Sequence, residues 1–244
     1  MIRIFIGYDY AEAAAYHTLC HSIIERSSVP VSITPIAKRH FKHIHDRPTD
    51  PNQSNEFAFT RWLVPYLCGY KGWAIFMDCD MLVLDDINNL WKIRDENYAV
   101  QVVKHDHQPK NKIKYLGTKQ TLYRYKNWSS VMLMNTAKCK QLTPEVINEM
   151  HGLDLHQFKW LDGLHQIGDL PLEWNYLVDY YHNRSADTLS LLHYTEGGPY
   201  FRDYTDCDFA DLWWREWHAM NHCNNASFDT HRDIRIRSDR DGDD

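Results

Sequence analysis

The chain opens with a short apolar run, "IRIFI" (residues 2–6), rich in β-branched side chains and ended by Gly7. A run of that length predicts a buried strand. In the next segment, "AEAAAYHTLCHSIIERSS", apolar residues recur at 13, 16, 20, 23 and 24, a stripe with helical spacing. "VPVSITPI" (29–36) predicts a second strand. Strand, helix and strand in that order imply parallel neighbours joined by a right-handed crossover. "KRHFKHIHDRPTDPNQSN" is polar and broken by proline, so it predicts a loop. "SNEFAFTRWLVPYLC" predicts a helix with a Ser/Asn start, kinked at Pro65. "WAIFMDCDMLVL" (73–84), "YAVQVV" (98–103) and "SSVMLMN" (129–135) predict further strands. "TPEVINEM" predicts a helix with Thr143 as cap and Pro144 at its first position. A last apolar run, "TLSLLHY", carries His193, and "FADLWWREWHAM" (209–220) predicts an apolar helix. The closing "DTHRDIRIRSDRDGDD" has almost no apolar residues, so residues 225–244 are expected to form a disordered polar tail.

Composition narrows the classes this pattern can serve. The 244 residues are 43% hydrophobic and 25% charged, which fits a folded chain able to bury a sizeable core. Aromatic residues reach 14%, enough for ring-lined clefts as well as a thick core. The net charge of −6 excludes a global electrostatic attraction to nucleic acid. None of the six cysteines has zinc-type spacing, and the first residues already read as a strand rather than a leader. A reducing, cytoplasmic setting is therefore expected, and the Asn-x-Ser triplets at Asn127, Asn183 and Asn225 are read as chance. No apolar stretch reaches the length of a membrane span. Residues 104–126 hold seven Lys/Arg against one Asp, which fits either a solvated hairpin or a surface facing an anionic acceptor or lipid headgroups. His40, His43 and His45 offer imidazoles, but irregular spacing without acidic partners favours a solvated loop. Trp213, Trp214 and Trp217 are expected to cover the sheet rather than to dock on a membrane or acceptor.

The strongest chemical signal lies inside the run at 73–84. Asp78 and Asp80 interrupt an otherwise apolar strand, and a buried charge without a partner costs several kcal/mol. Residues i and i+2 of a strand face the same side, so the two carboxylates point together and Cys79 points away. At the C-terminal end of a strand they would face the crevice where open α/β sheets bind ligands. Two close carboxylates repel, and a divalent cation is their natural partner. Hard oxygen ligands suit Mn²⁺ or Mg²⁺, and such an ion can bridge phosphate oxygens and neutralise a leaving diphosphate.

In this context "TRWLVPYLCGYKGWAIFMDCDMLVLDDINNLW" resembles an Arg-x-x-x-Pro helix followed by an apolar strand ending in Asp-x-Asp, the pattern of metal-dependent GT-A-fold glycosyltransferases. The likeness is strongest to the retaining group that includes glycogenin and bacterial lipopolysaccharide galactosyltransferases, glycosyltransferase family 8. "IFIGYDYAEAAAYHTLCHSI" resembles the family's first strand and helix, "SSVMLMN" its "NSGVMLIN" strand, "LPLEWN" (170–175) a Leu-Pro…Trp-Asn segment, and "HYTEGGPYF" (193–201) its late His-x-x-Gly-x-x-Lys-Pro-Trp motif.

The resemblance implies a mixed α/β GT-A (Rossmann-like) fold, a mostly parallel sheet flanked by helices, in a single domain over residues 1–224. It implies a hexosyltransferase that moves sugar from a nucleotide-sugar donor, a UDP-sugar by expectation, to a saccharide or lipid-linked saccharide, with retention of configuration; a peripheral membrane contact is what the basic stretch at 104–126 would allow. Asp78, Asp80 and His193 are the implied metal ligands. Gly7, Tyr8 or Tyr10, and Asp9 are the implied nucleoside contacts, with Arg61, Cys79 and Gly198 near the diphosphate or donor sugar. Trp128 stands where the family has an Asn near the sugar, and the Lys of the late motif is missing. Asp154, Gln157 and Asp162 are candidates to face the reacting sugar, of which Asp162 is preferred. An Asp-x-Asp phosphohydrolase is disfavoured, because a whole β-α-β unit precedes the motif. A binding module without turnover remains the other alternative.

Overall fold

The computed structural model describes residues 1–48, 53, 55–106 and 123–222. The β-α-β opening forms as expected: β1 (Ile2–Tyr8), α1 (Ala13–Arg26) and β2 (Val31–Ala37), with β1 and β2 parallel in the register Ile2↔Val31 to Tyr8↔Ala37. The buried face of α1 comprises Ala15, Tyr16, Thr18, Leu19, Ser22 and Ile23; of the expected stripe only Tyr16 and Ile23 lie on it, Ala13 and Cys20 are half-buried and Ile24 is exposed, so the buried face is rotated from the one the apolar residues imply and takes in two hydroxyls. In the loop after β2, His40 and His43 are exposed, but His45 is buried near the Phe59 ring and burial lowers its pKa.

Residues 55–68 depart from the expected kinked helix. They form a turn, a 3₁₀ segment over Thr60–Leu63 and a single α-helical turn, α2 (Val64–Leu67). The reason is packing. Residues 57–65 are all buried, the polar Thr60 and Arg61 along with Phe57, Phe59, Trp62, Leu63 and Val64, so no single face is striped, and Pro65 sits in the first turn of α2, where its missing N–H costs nothing. Ser54 of the expected helix start lies outside the described residues.

The run at 73–84 also splits. β3 (Trp73–Met77) and β4 (Met81–Val83) belong to different sheets, with Asp78, Cys79 and Asp80 at the corner between them. Next come α3 (Ile87–Lys92), β5 (Val100–Val102) and β6 (Val131–Asn135). They are followed by α4 (Pro144–Glu149), α5 (Gly152–His156) and β7 (Ile167–Asp169). Thr143 caps α4 through its side-chain oxygen, as the sequence implies. The last elements are β8 (Tyr176–Leu177), β9 (Leu191–His193) and α6 (Ala210–Met220).

The larger sheet runs β2-β1-β3-β6-β5-β7, with β6 antiparallel to both of its neighbours and the other pairings parallel. The smaller sheet runs β4-β9-β8. The result is the expected mixed α/β architecture. Ile4, Ile6, Ile75, Phe76, Val131 and Leu133 lie at its centre with no exposed surface. A second apolar cluster on the small sheet includes Leu82, Tyr176, Leu192 and Tyr194, closed by Trp213 of α6. Trp213 is wholly buried, and Trp214 and Trp217 pack partly buried against the same cluster, so the tryptophan helix does cover a sheet. Buried Glu216 fastens α6 to α1, accepting from Arg26 at 2.6 Å and meeting His21 Nδ1 at 2.5 Å.

Among the described residues no helix is long and apolar enough to cross a membrane. The expected polar tail at 225–244, the Asn225 triplet and most of the basic stretch at 104–126 lie outside the described residues. Within the described part of that stretch, Lys104 pairs with Asp169 at 3.1 Å.

Candidate functional site

The chain turns from one sheet into the other at Asp78–Asp80, and backbone pairing holds both ends of the turn. Asp78 N–H donates to Ser130 C=O at 2.9 Å, extending the β3–β6 ladder by one residue. Two residues later Tyr194 N–H donates to Asp80 C=O at 2.9 Å, and Met81 lies opposite His193 in the β4–β9 ladder. The strand alternation argued from sequence therefore does not apply, because residues 78–80 are not in a strand. The corner achieves the same end: it turns both carboxylates toward His193 and sends Cys79 into the core, where it is wholly buried.

Asp78, Asp80 and His193 are all buried, and one ligand atom from each lies within 4.8 Å of the others. His193 Nε2 stands 3.4 Å from Asp80 Oδ1. Two carboxylate oxygens and one imidazole nitrogen at this separation fit a single divalent ion with bonds of about 2.0–2.2 Å. An imidazole nitrogen beside two carboxylates suits a first-row ion such as Mn²⁺ more than Mg²⁺, which keeps harder oxygen ligands.

Arg61, expected near the diphosphate or donor sugar, is the buried counter-charge of this cluster. It is 3% exposed, and its Nη1 donates to Asp78 Oδ1 at 2.7 Å and to Ser129 C=O at 2.9 Å. Its guanidinium lies 5.2 and 5.1 Å from the centres of the Phe57 and Phe76 rings, a desolvated setting in which the ion pair is strong. His156 stands beside it, bonded through Nδ1 to Ser129 Oγ at 2.8 Å. Burial, reinforced by the Arg61 charge, lowers the His156 pKa to about 3, so this imidazole is neutral.

The expected nucleoside contacts sit at the end of β1, and several are already engaged. A Cβ on Gly7 would lie 2.3 Å from the Phe57 ring, so the absent side chain admits Phe57 rather than baring the backbone to a ligand. Asp9 caps the 3₁₀ turn Tyr10–Glu12: one carboxylate oxygen accepts from Ala11 N–H and the other from Glu56 N–H, both at 3.0 Å. Tyr8 packs edge-on against Tyr16 with Arg39 over its face, while Tyr10 is 73% exposed and open for stacking. Gly198 lies in the turn after His193, with its Cα hydrogen against the Tyr200 ring.

Asp162 is exposed in the bend before the 3₁₀ turn Leu164–Gln166 and is not part of the metal-type cluster. Asp154 pairs with Lys159 at 2.6 Å, and Gln157 follows the end of α5. Trp128 donates its indole N–H to His105 C=O at 2.8 Å.

Sequence reasoning missed Glu12. It is 2% exposed, accepts from the Tyr200 hydroxyl at 3.0 Å and faces the Cys79 thiol at 3.8 Å. That bond ties the turn after His193 to the start of α1. A lone Glu in an Ala-rich helix start carries no local signal for this.

No family model matches the chain. Protein CDI of Arabidopsis thaliana is 44% identical over an alignment 236 residues long that covers 93% of this chain and 90% of the plant protein. The chain belongs to the family of Protein CDI. Among solved structures, this member of the CDI family is similar to the galactosyltransferase LgtC in complex with donor and acceptor sugar analogues. The TM-score is 0.58 at 13% identity, over 96% of this chain and 99% of LgtC. It is also similar to the bifunctional glycosyltransferase WbbM (TM-score 0.62, 16% identity, 88% of this chain) and to GlyE of Streptococcus pneumoniae (TM-score 0.60, 14% identity, 91% of this chain). The CDI-family chain spans 49% of the WbbM chain and 63% of GlyE. These likenesses show the fold: the chain has the GT-A-type architecture of glycosyltransferases.

Proposed function

We propose that the chain is a metal-dependent hexosyltransferase of the retaining family 8 type, taking sugar from a UDP-sugar and delivering it to a saccharide or lipid-linked saccharide. The observation that carries this reading is the buried Asp78–Asp80–His193 cluster at a sheet corner in a fold shared with glycosyltransferases. The solved LgtC complex with donor and acceptor sugar analogues supports the substrate class. Asp78, Asp80 and His193 would hold the ion, which when bound supplies charge neutralisation for a leaving diphosphate.

The chain's own residues do the rest. Arg61 occupies one oxygen of Asp78 and so fixes how the carboxylate presents the other. Tyr10, exposed beside Asp9 at the end of β1, is the ring proposed to stack on the base, and its exposure supports that role. The turn after His193 carries Gly197 at φ +148° and is tied to Glu12 through Tyr200, so it can offer backbone N–H groups, Gly198's among them, in place of the missing lysine. Asp162 is the candidate to face the reacting sugar carbon.

Calorimetry of UDP with Mn²⁺ and with chelator tests the core of the reading. UDP should bind only with the ion, and Asp80→Asn should lose most of that affinity while staying folded. Equal UDP affinity in chelator would refute the metal requirement. Turnover of UDP-sugars, with NMR of the product's anomeric proton, then separates a transferase from a binding module and retention from inversion.

A further inference from the structure

We propose that Asn175 is a positioning residue for His193: it sets the imidazole's tautomer and ties it to the backbone that holds Asp78. This rests on reading Asp78, Asp80 and His193 as metal ligands. Asn175 ends the 3₁₀ turn Leu172–Asn175 just before β8 and has no exposed surface. Its side-chain amide lies 3.0 Å from His193 Nδ1 through Oδ1, and 3.3 Å from Asn127 C=O and 2.9 Å from Ser130 Oγ through Nδ2.

The network fixes which way the amide faces. The Asn127 carbonyl can only accept, so the atom turned to it must be the NH₂. The Ser130 hydroxyl spends its proton on the same Asn127 carbonyl at 2.7 Å, so Ser130 Oγ too can only accept from Asn175. Two constraints thus leave Oδ1 facing the histidine. A carbonyl oxygen demands a proton on Nδ1, and the neutral imidazole then carries its lone pair on Nε2, the atom aimed at Asp80. A ligating nitrogen must present that lone pair, and partners of this kind orient metal-bound histidines.

The same amide joins the two arms of the cluster. Ser130, whose hydroxyl accepts from Asn175, also accepts the Asp78 N–H through its carbonyl at 2.9 Å. Asn127 takes up a left-handed conformation, φ 65° and ψ 2°, which turns its carbonyl to receive both bonds. An imidazole from β9 and a carboxylate from the β3 corner, 115 residues apart, are thereby referred to one buried amide.

The test uses the full chain at alkaline pH. Two-dimensional ¹H–¹⁵N NMR of the metal-free protein reads the His193 tautomer, Mn²⁺ alone is titrated by electron paramagnetic resonance, and thermal unfolding follows stability. The wild type should show the Nδ1–H tautomer. Asn175→Leu should shift it toward Nε2–H and weaken Mn²⁺ binding about 10–100-fold. Asn175→Asp, which keeps an acceptor facing Nδ1, should retain the tautomer and most of the affinity although it loses both donated bonds. A merely structural asparagine would lower the melting temperature in both variants without moving the tautomer. A wild-type Nε2–H tautomer, readable whether or not the variants fold, overturns the proposal. So does unchanged tautomer and Mn²⁺ affinity in Asn175→Leu. A wild type with the Nδ1–H tautomer that binds no Mn²⁺ overturns the metal reading instead.

Discussion

Replacing Arg61 by Met should be among the most damaging single substitutions for the metal-free chain, and Mn²⁺ should partly reverse the damage. Arg61 is 3% exposed, bonds Asp78 at 2.7 Å and Ser129 C=O at 2.9 Å, and lies against two phenylalanine rings. Met fills a similar apolar volume, so little cavity forms. What remains is a buried Asp78 carboxylate that has lost its guanidinium. Removing one partner of a buried pair costs about 3–5 kcal/mol, mostly the penalty of the stranded charge. At about 2–4 °C per kcal/mol for a chain of this size, the melting temperature should fall by roughly 6–20 °C in chelator. Arg61→Met with Asp78→Asn removes both charges, so the double variant should lose less than the sum of the singles. A coupling of about 1–3 kcal/mol is expected. If Asp78 is a metal ligand, Mn²⁺ at about 100 times its dissociation constant should restore roughly 2.7 kcal/mol to Arg61→Met, up to the affinity that the variant retains. Urea unfolding of the four proteins, each with chelator and with Mn²⁺, measures both quantities. An Arg61→Met variant within about 1 kcal/mol of wild type, or strictly additive substitutions, would refute the argument that the pair is a buried, coupled unit.

Two further outcomes follow from single contacts. Burial pushes the Glu216 carboxyl up, but bonds from His21 and Arg26 outweigh it and hold its pKa below 4.5; the stability it adds is therefore full above that value and is lost as pH falls through the lower folded value. Glu216→Gln should cost about 1.5–3 kcal/mol at neutral pH and progressively less in acid, and a pH-independent difference in unfolding free energy would show that the charge is not what fastens α6 to α1. Gly7→Ala should cost about 1–3 kcal/mol by overpacking, because its Cβ would lie 2.3 Å from the Phe57 ring; an unchanged melting temperature would mean that Phe57 moves aside without cost.

How far the sequence reveals this molecule depends on the range of the forces that shape each part. β1, α1 and β2 are legible because their signals are local: two apolar runs and a stripe, each long enough to dictate its own element. The stretch at 55–68 is not, because residues 57–65 are all buried and periodicity carries no information where there is no solvent face. The run at 73–84 shows the limit most clearly. Its hydrophobicity is unbroken apart from the two aspartates, so it reads as one strand, yet β3 takes β6 as partner and β4 takes β9. Partner choice is made by residues more than fifty positions away, and no window along the run contains it.

The aspartates are nevertheless the trace of that choice. A strand continuing straight through would have buried two carboxylates in a ladder with apolar neighbours. A strand that leaves one sheet for another frees a three-residue corner, where Asp78 and Asp80 give their backbones to Ser130 and Tyr194 and gather their side chains in one buried space. The histidine reaches that space because β9 pairs with β4, and the β4–β9 register puts His193 beside the corner. The interruption in the hydrophobic pattern and the candidate metal site are therefore one feature: the fold changes sheets at the point where two buried carboxylates that are not part of a strand meet His193.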